Sequence, residues 1–317
     1  MTRVAVTGAS GFVGSHTARA LLANGDDVVL IARHANPAII PGGEHATWVK
    51  ADIDDEAGLA RAFAGCKAVI HCAGINVERG TQPYAKVHIS GTQTVVRAAQ
   101  TAGVSRIALV SFLRARPACG SAYHESKWEA EAIVRRSGLM YTILKAGVIY
   151  GRGDHLLDHL SRAFNTFPIF LLVGFGSRRH LRPVAVQDVA KVLVASAHDE
   201  RLNDVTVPVI EPEELRLEQA VRRVASVVDN RPLYLPAPIA VHRVLAWVFE
   251  KIMKVPLESA AQVRILTEGI VEPVLAPDRL PDDLLPATPF SLQAIRDGLP
   301  PKQRFTLADL RAFHGAA

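Results

Sequence analysis

The chain is poor in several features that would send it to a special class. Cysteine is scarce: Cys66, Cys72 and Cys119 are the only three in 317 residues. They form neither an even framework nor a Cys-x-x-Cys pair, so no disulfide scaffold and no metal site is expected, and a reducing compartment suits them. Aromatic residues make up 6% of the chain, without an aromatic-basic ladder or a long basic run. Lys and Arg outnumber Asp and Glu, 36 against 31, but the excess is dispersed, which argues against nucleic acid as a partner. No apolar run can cross a bilayer, because the most apolar late stretch, Ile239 to Met253, is broken by His242, Arg243, Glu250 and Lys251. Met1 to Val6 runs directly into glycines, with no basic and then apolar leader ahead of them. Repeats and low-complexity tracts are absent as well, which sets aside solenoids and propellers. A soluble cytoplasmic protein is the expectation.

Apolar residues, by contrast, are plentiful at 49%, enough for one large core or for a core plus a smaller lobe. Strand-like and helix-like segments alternate through the first half, as in βαβ units that cover a parallel sheet on both faces. Val4 to Val6, Val28 to Ile31, Ala68 to His71, Ile107 to Val110 and Tyr141 to Leu144 read as buried strands, and Gly14 to Ala23 as a helix. The predicted fold is α/β: a Rossmann doubly wound parallel sheet over residues 1–150 and a smaller C-terminal substrate lobe over 151–317, with some segments of the latter returning to the first domain. After Gly151 proline and glycine become frequent, and short strands such as Val205 to Ile210 lie between irregular pieces. Val241, Val244, Leu245, Val248 and Ile252 share one helical face opposite Arg243, Glu250 and Lys254. An ordinary packed helix is expected there; the sharper alternative is a membrane-surface or partner-binding helix, which Trp247 and the nearby lysines would suit.

The first strand runs into Thr7-Gly8-Ala9-Ser10-Gly11-Phe12-Val13-Gly14 and then a helix. A dinucleotide fingerprint has to stand at that point, because glycine permits a tight turn and close backbone approach while the helix N-terminus offers free N–H groups to a diphosphate. Gly8, Ser10, Gly11, Phe12, Val13 and Gly14 are therefore candidate cofactor contacts; the plainer alternative is a turn whose glycines serve packing alone. The second strand ends Ala32-Arg33-His34. It lacks the acid that would accept a ribose 2'-hydroxyl and offers a guanidinium to a 2'-phosphate, so NADP(H) is expected over NAD. Asp52 and Ile53 could flank the adenine, and Cys72-Ala73-Gly74 could let the backbone pass close to the cofactor. Tyr123 and Lys127, four apart, share one helical face. A phenol that acts as acid or base needs a nearby cation to stabilise phenolate, and the Lys127 ammonium could also bond the nicotinamide ribose.

Taken together, Thr7-Gly8-x-x-Gly11-x-x-Gly14, His71-Cys72-Ala73-Gly74, Tyr123-x-x-x-Lys127, Gly147 to Gly151 and Val184 to Ala190 resemble the extended or atypical short-chain dehydrogenase/reductases, including the NAD-dependent epimerase/dehydratase families. The likeness covers residues 1 to about 200 and comes nearest to the branch containing the nucleotide-binding accessory subunit of respiratory complex I, whose members often lack demonstrable chemistry. It implies Tyr123 as general acid/base, Lys127 as its activator and ribose anchor, and a Ser or Thr ending the fifth strand to polarise the substrate. At that last point the chain departs from the pattern: the hydroxyl position falls on Phe112, with Ser111 one residue early, and Ser121 as a substitute. His88 stands where many relatives carry Asn, and Lys145-Ala146 replaces a common Arg-Pro. Phe112, Phe167, Pro168, Ile169, Phe170, Leu171, Leu172 and Phe175 would make an apolar substrate crevice at the strand C-termini, or serve core packing. The expected function is an NADP(H)-dependent oxidoreductase acting on a small carbonyl or alcohol. The alternatives are a non-catalytic NADPH-binding protein that docks a partner or membrane and, third, a sugar-nucleotide epimerase or dehydratase. A homodimer is common in the superfamily, but nothing in the sequence selects it.

Overall fold

A computed structural model describes residues 1–78, 80–173, 179–230 and 232–310; Phe175 lies outside them. The chain divides into two compact units: Met1–Gly147 with Val186–Ile210 and Glu272–Ala287, and Val148–Ala185 with Glu211–Val271 and Thr288–Ala317.

The first unit opens with strand β1 (Arg3–Thr7), helix α1 (Phe12–Ala23), β2 (Asp27–Ala32), β3 (Ala46–Lys50), α2 (Glu56–Phe63) and β4 (Ala68–His71). A π-helical turn at Ala85–Ser90 leads into α3 (Gly91–Thr101), followed by β5 (Arg106–Phe112), α4 (Ala122–Arg135) and β6 (Met140–Ala146). The second unit takes β7 (Ile149–Tyr150), α5 (His155–Thr166), β8 (Ile169–Val173), β9 (His180–Leu181) and β10 (Val184–Ala185). The chain then rejoins the first unit with α6 (Val186–Ser196) and β11 (Val205–Val209), and afterwards supplies the second with β12 (Leu215–Arg216), α7 (Leu217–Val228), β13 (Leu233–Ala237), α8 (Ile239–Ile252), α9 (Ala260–Glu268) and α10 (Leu292–Gly298).

The main sheet runs β3-β2-β1-β4-β5-β6-β11, and every pair in it is parallel. Near-continuous Val, Ile and Leu build these strands because both faces are covered. On one face Leu59 and Phe63 of α2, Val95 and Ala99 of α3 and Ala130 and Val134 of α4 close over Ala5, Val29, Val69, Ile107 and Ile143. Fully burying each large apolar side chain contributes on the order of 1.5–3 kcal/mol. Val205–Val209, a short strand after Gly151 in the sequence, is the edge strand of this first sheet, paired with β6. The strand order reverses between β1 and β4, and in such sheets ligands bind outside the carboxyl ends of the strands at that switch point.

Candidate active site

In the first unit Gly8 to Gly14 follow the carboxyl end of β1, Arg33 that of β2, Asp52 and Ile53 that of β3 and Cys72 to Gly74 that of β4, while Ser111 lies in β5 and Tyr123 and Lys127 lie in α4. The turn after β1 is held by backbone bonds from the Gly11 N–H to the Gly8 carbonyl (2.9 Å) and from the Ala9 N–H to the Ile31 carbonyl (3.1 Å). Gly8 has φ of +70°, and a Cβ there would lie 2.8 Å from the Ala73 nitrogen. A Cβ on Gly14 would fall 2.2 Å from the Gly8 oxygen. Glycine is thus required at both positions by backbone approach alone. Helix α1 is preceded at its N-cap by Gly11, which supplies no side-chain cap, whereas Asp55 caps α2 through the Gly58 N–H. The first-turn amides of α1 therefore suit an anionic ligand, and the bare glycine cradle fits a dinucleotide diphosphate. Ser10, Phe12 and Val13 are half-buried around it.

The close approach of Gly8 to Ala73 brings the β4 end, Cys72-Ala73-Gly74, against this turn. A Cβ on Gly74 would stand 3.2 Å from Lys127 Nζ and 3.5 Å from His88 Nε2, so the same segment joins the turn to the α4 side chains. Arg33 is exposed directly after β2. Asp52 accepts the neighbouring Ile53 N–H at 2.7 Å, and the Ile53 side chain lies against Gly91.

Tyr123 is buried in the first turn of α4, ringed edge-on by Tyr84, His88, Phe112 and His124. Its hydroxyl donates to Asn76 Oδ1 at 3.4 Å, and burial pushes the phenol pKa well above its usual range. One turn later Lys127 donates to the Val110 carbonyl at 3.2 Å. Desolvation lowers its pKa to about 8, against the opposing pull of Cys72 and Glu131. His88 accepts the Ile75 N–H on Nε2 at 3.1 Å, which leaves its proton on Nδ1 for Ser126 Oγ at 2.9 Å. Burial, with Lys127 and His71 nearby, brings His88 down to about 2, so its imidazole is neutral. His71, between Thr7 and Thr92, is likewise lowered to about 3 by burial and Lys127. Burial raises the Cys72 thiol to about 12, which disqualifies it as a nucleophile at neutral pH.

Ser111 faces a different neighbour. Its hydroxyl donates to Glu131 Oε1 at 2.5 Å, and Glu131 also holds Lys145 at 3.0 Å and Arg135 at 2.7 Å. Phe112 packs on Tyr123, ring centroids 5.5 Å apart. Ser121 bonds His124 Nδ1 at 2.6 Å. Sequence reasoning missed Asn76, Tyr84 and Glu131. The signal for Glu131 lay in strand alternation, which sets Ser111 on the face of Ile107 and Leu109 beneath the helices, and in the four-residue step from Lys127. Among the described residues no group of His, Cys, Asp and Glu could hold a metal ion.

A model of the family described as NAD(P)H-binding matches residues 8–200. The chain belongs to the NAD(P)H-binding family. The ceramide reductase of Caulobacter vibrioides is 29% identical to this family member over 242 residues, covering 74% of this chain and 73% of the relative. The mouse (Mus musculus) mitochondrial NADH dehydrogenase [ubiquinone] 1 alpha subcomplex subunit 9 is 24% identical over 92% of this chain and 78% of its own length, which meets the expected nearness to the complex I branch. The chain spans 24% of the length of a Mycobacterium tuberculosis relative that is 28% identical. Among solved structures, the UDP-glucuronic acid 4-epimerase of Bacillus cereus in complex with NAD superposes with a TM-score of 0.64 at 19% identity, over 74% of this chain and 88% of that one. At that identity the likeness supports the fold, and a nicotinamide cofactor follows from the family.

Proposed function

We propose that the chain is an NADP(H)-dependent oxidoreductase that moves hydride between the nicotinamide and a carbonyl or alcohol carbon of a small, apolar substrate. The observation that carries this reading is the Cys72-Ala73-Gly74 segment, whose Ala73 backbone abuts the Gly8 turn while Gly74 faces Lys127 Nζ, next to a buried tyrosine. Gly8, Ser10, Gly11, Phe12, Val13 and Gly14 would hold the diphosphate, Asp52 and Ile53 the adenine, Cys72-Ala73-Gly74 the passing backbone and Lys127 the ribose; Arg33 would favour a 2'-phosphate. When bound, the dinucleotide supplies or accepts the hydride.

Tyr123 is protonated at neutral pH because burial disfavours phenolate, so it serves as the acid toward the oxygen of a carbonyl undergoing reduction. The Lys127 ammonium stabilises the phenolate this leaves. Phe112 packs on the phenol ring and keeps water from that side. Asn76, at the phenol oxygen, orients it, while Ser111 is committed to Glu131. The ceramide reductase relative supports a reductase activity. The test is a carbonyl panel with NADPH or NADH: Tyr123→Phe should abolish turnover yet keep the NADPH thermal shift. Unchanged turnover would remove Tyr123 from the chemistry, and a larger shift with NADH would reverse the cofactor preference.

A second reading, a non-catalytic NADPH-binding protein, is favoured by the engagement of Ser111 with Glu131 and by the complex I relative. It expects strong stabilisation by NADPH with no cofactor consumed by any carbonyl. The epimerase neighbour keeps sugar-nucleotide chemistry third; that reading requires stabilisation by UDP-sugars and by NAD.

A further inference from the structure

In the second unit, α8 does not behave as the packed helix its sequence pattern suggests. Over Ile239–Ile252 it fully buries only His242 and Ala246. Val244 and Trp247 are 61% and 62% exposed, and Val241 and Ile252 of the same apolar face are exposed as well. The strand leading into it also exposes apolar side chains: Leu233 and Leu235 of β13 are exposed, and Leu233 sits in register with exposed Ile169 of β8. Exposed apolar surface of this kind, with a tryptophan in it, marks an interaction site.

The charges decide the partner. On and just beyond α8 the outward groups are cationic: Arg243 and Lys251 are exposed and Lys254 is partly so. The acids of this region are turned to internal partners. Glu250 accepts the Ala260 N–H at 2.9 Å, and Glu258 pairs with buried His242 at 2.9 Å. An apolar stripe with tryptophan, bordered on α8 by exposed cations, is complementary to an anionic lipid surface, where the stripe enters the acyl boundary and the cations meet headgroups. Among the described residues no helix is long and apolar enough to cross a membrane, so a helix lying in the interface plane is the geometry available.

We propose that α8, with the β13 side chains that precede it, docks this protein on an anionic bilayer surface. This is independent of the oxidoreductase reading, because the test contains no cofactor or substrate. The full chain is mixed with vesicles of phosphatidylcholine alone or with phosphatidylglycerol added. Binding is read by co-sedimentation and by tryptophan emission. The protein should pellet with the anionic vesicles and not the neutral ones, and a blue shift should accompany binding and disappear in Trp247→Phe. Raising salt to ~1 M, where the Debye length falls to about 3 Å, should weaken binding. Val244→Glu should lose binding while keeping the wild-type Tm, and Arg243→Glu with Lys251→Glu should lose the preference for anionic lipid. Equal pelleting of wild type and Val244→Glu would overturn the proposal. So would a dimer in sedimentation velocity that Val244→Glu dissolves while wild-type protein ignores vesicles, since a second copy would then cover the face.

Discussion

Glu131 and Lys145 offer the sharpest test of how the first unit is held together. Both side chains are fully buried, 3.0 Å apart, and Lys145 has one further bond, to the Ala115 carbonyl at 2.9 Å. Glu131 also accepts from Ser111 and from Arg135, and the Arg135 side chain remains 25% exposed. Glu131→Met therefore strands a buried ammonium, whereas Arg135 can turn to water. Breaking a buried pair from one side costs about 3–5 kcal/mol, which in a unit of this size lowers Tm by roughly 6–20 °C. Adding Lys145→Met removes the stranded charge and fills similar volume, so the double variant should be more stable than Glu131→Met, with a coupling of about 1–3 kcal/mol. Urea unfolding followed by tryptophan emission in a Trp48→Phe, Trp247→Phe background reads this locally, because the Trp128 ring lies 5.0 Å from the Arg135 guanidinium and 5.7 Å from Lys145 Nζ. Single costs that add to within about 0.5 kcal/mol would refute the shared network.

Gly14→Ala places a Cβ 2.2 Å from the Gly8 oxygen, so the turn must open. The NADPH stabilisation, about 2.7 kcal/mol at a hundredfold excess over Kd, should vanish in a thermal-shift assay. Arg33→Ala should weaken NADPH by about 1.5–3 kcal/mol, the worth of a charged hydrogen bond, and leave NADH unchanged in titration calorimetry. Burial opposes protonation of His242, but the Glu258 carboxylate outweighs it and its pKa is raised. The stability this pair contributes is complete below the unfolded value near 6.5 and is lost as pH rises through the higher folded one. His242→Gln should flatten that decline in denaturation curves recorded across the window.

What could be read from the sequence was whatever the backbone dictates locally. The glycines after β1 have one steric reason to be there, and the strand-turn-helix order fixes where they stand. The four-residue step from Tyr123 to Lys127 needs only helical geometry. Tertiary choices were less visible. Ser111 and Glu131 are twenty residues apart and meet only because α4 crosses β5. The apolar face of α8 has the periodicity of a buried stripe, and periodicity cannot tell a helix packed against protein from one left to meet something else. The fate of Val205–Val209 was obscured for a similar reason: it sits in a segment, Val186–Ile210, with second-unit chain on both sides, but its residues pair with β6 of the first.

The buried cluster and the proposed acid-base pair are not separate features, since Tyr123, Lys127, Glu131 and Arg135 follow one another at four-residue steps along α4. Glu131 is one of the two groups that hold the Lys127 pKa up against desolvation, which leaves it at about 8. Removing that carboxylate as Glu131→Gln makes the ammonium costlier still, so Lys127 should lose its proton at a lower pH. If the proposed mechanism holds, the ammonium is the form that stabilises phenolate, so turnover should fall as pH rises through the Lys127 pKa, and in the variant that alkaline limb should move toward neutrality. A variant that merely loosened the fold would lower the rate at every pH without moving the limb. A pH–rate profile with the limb in its wild-type place would therefore separate Glu131 from the chemistry and confine it to stability.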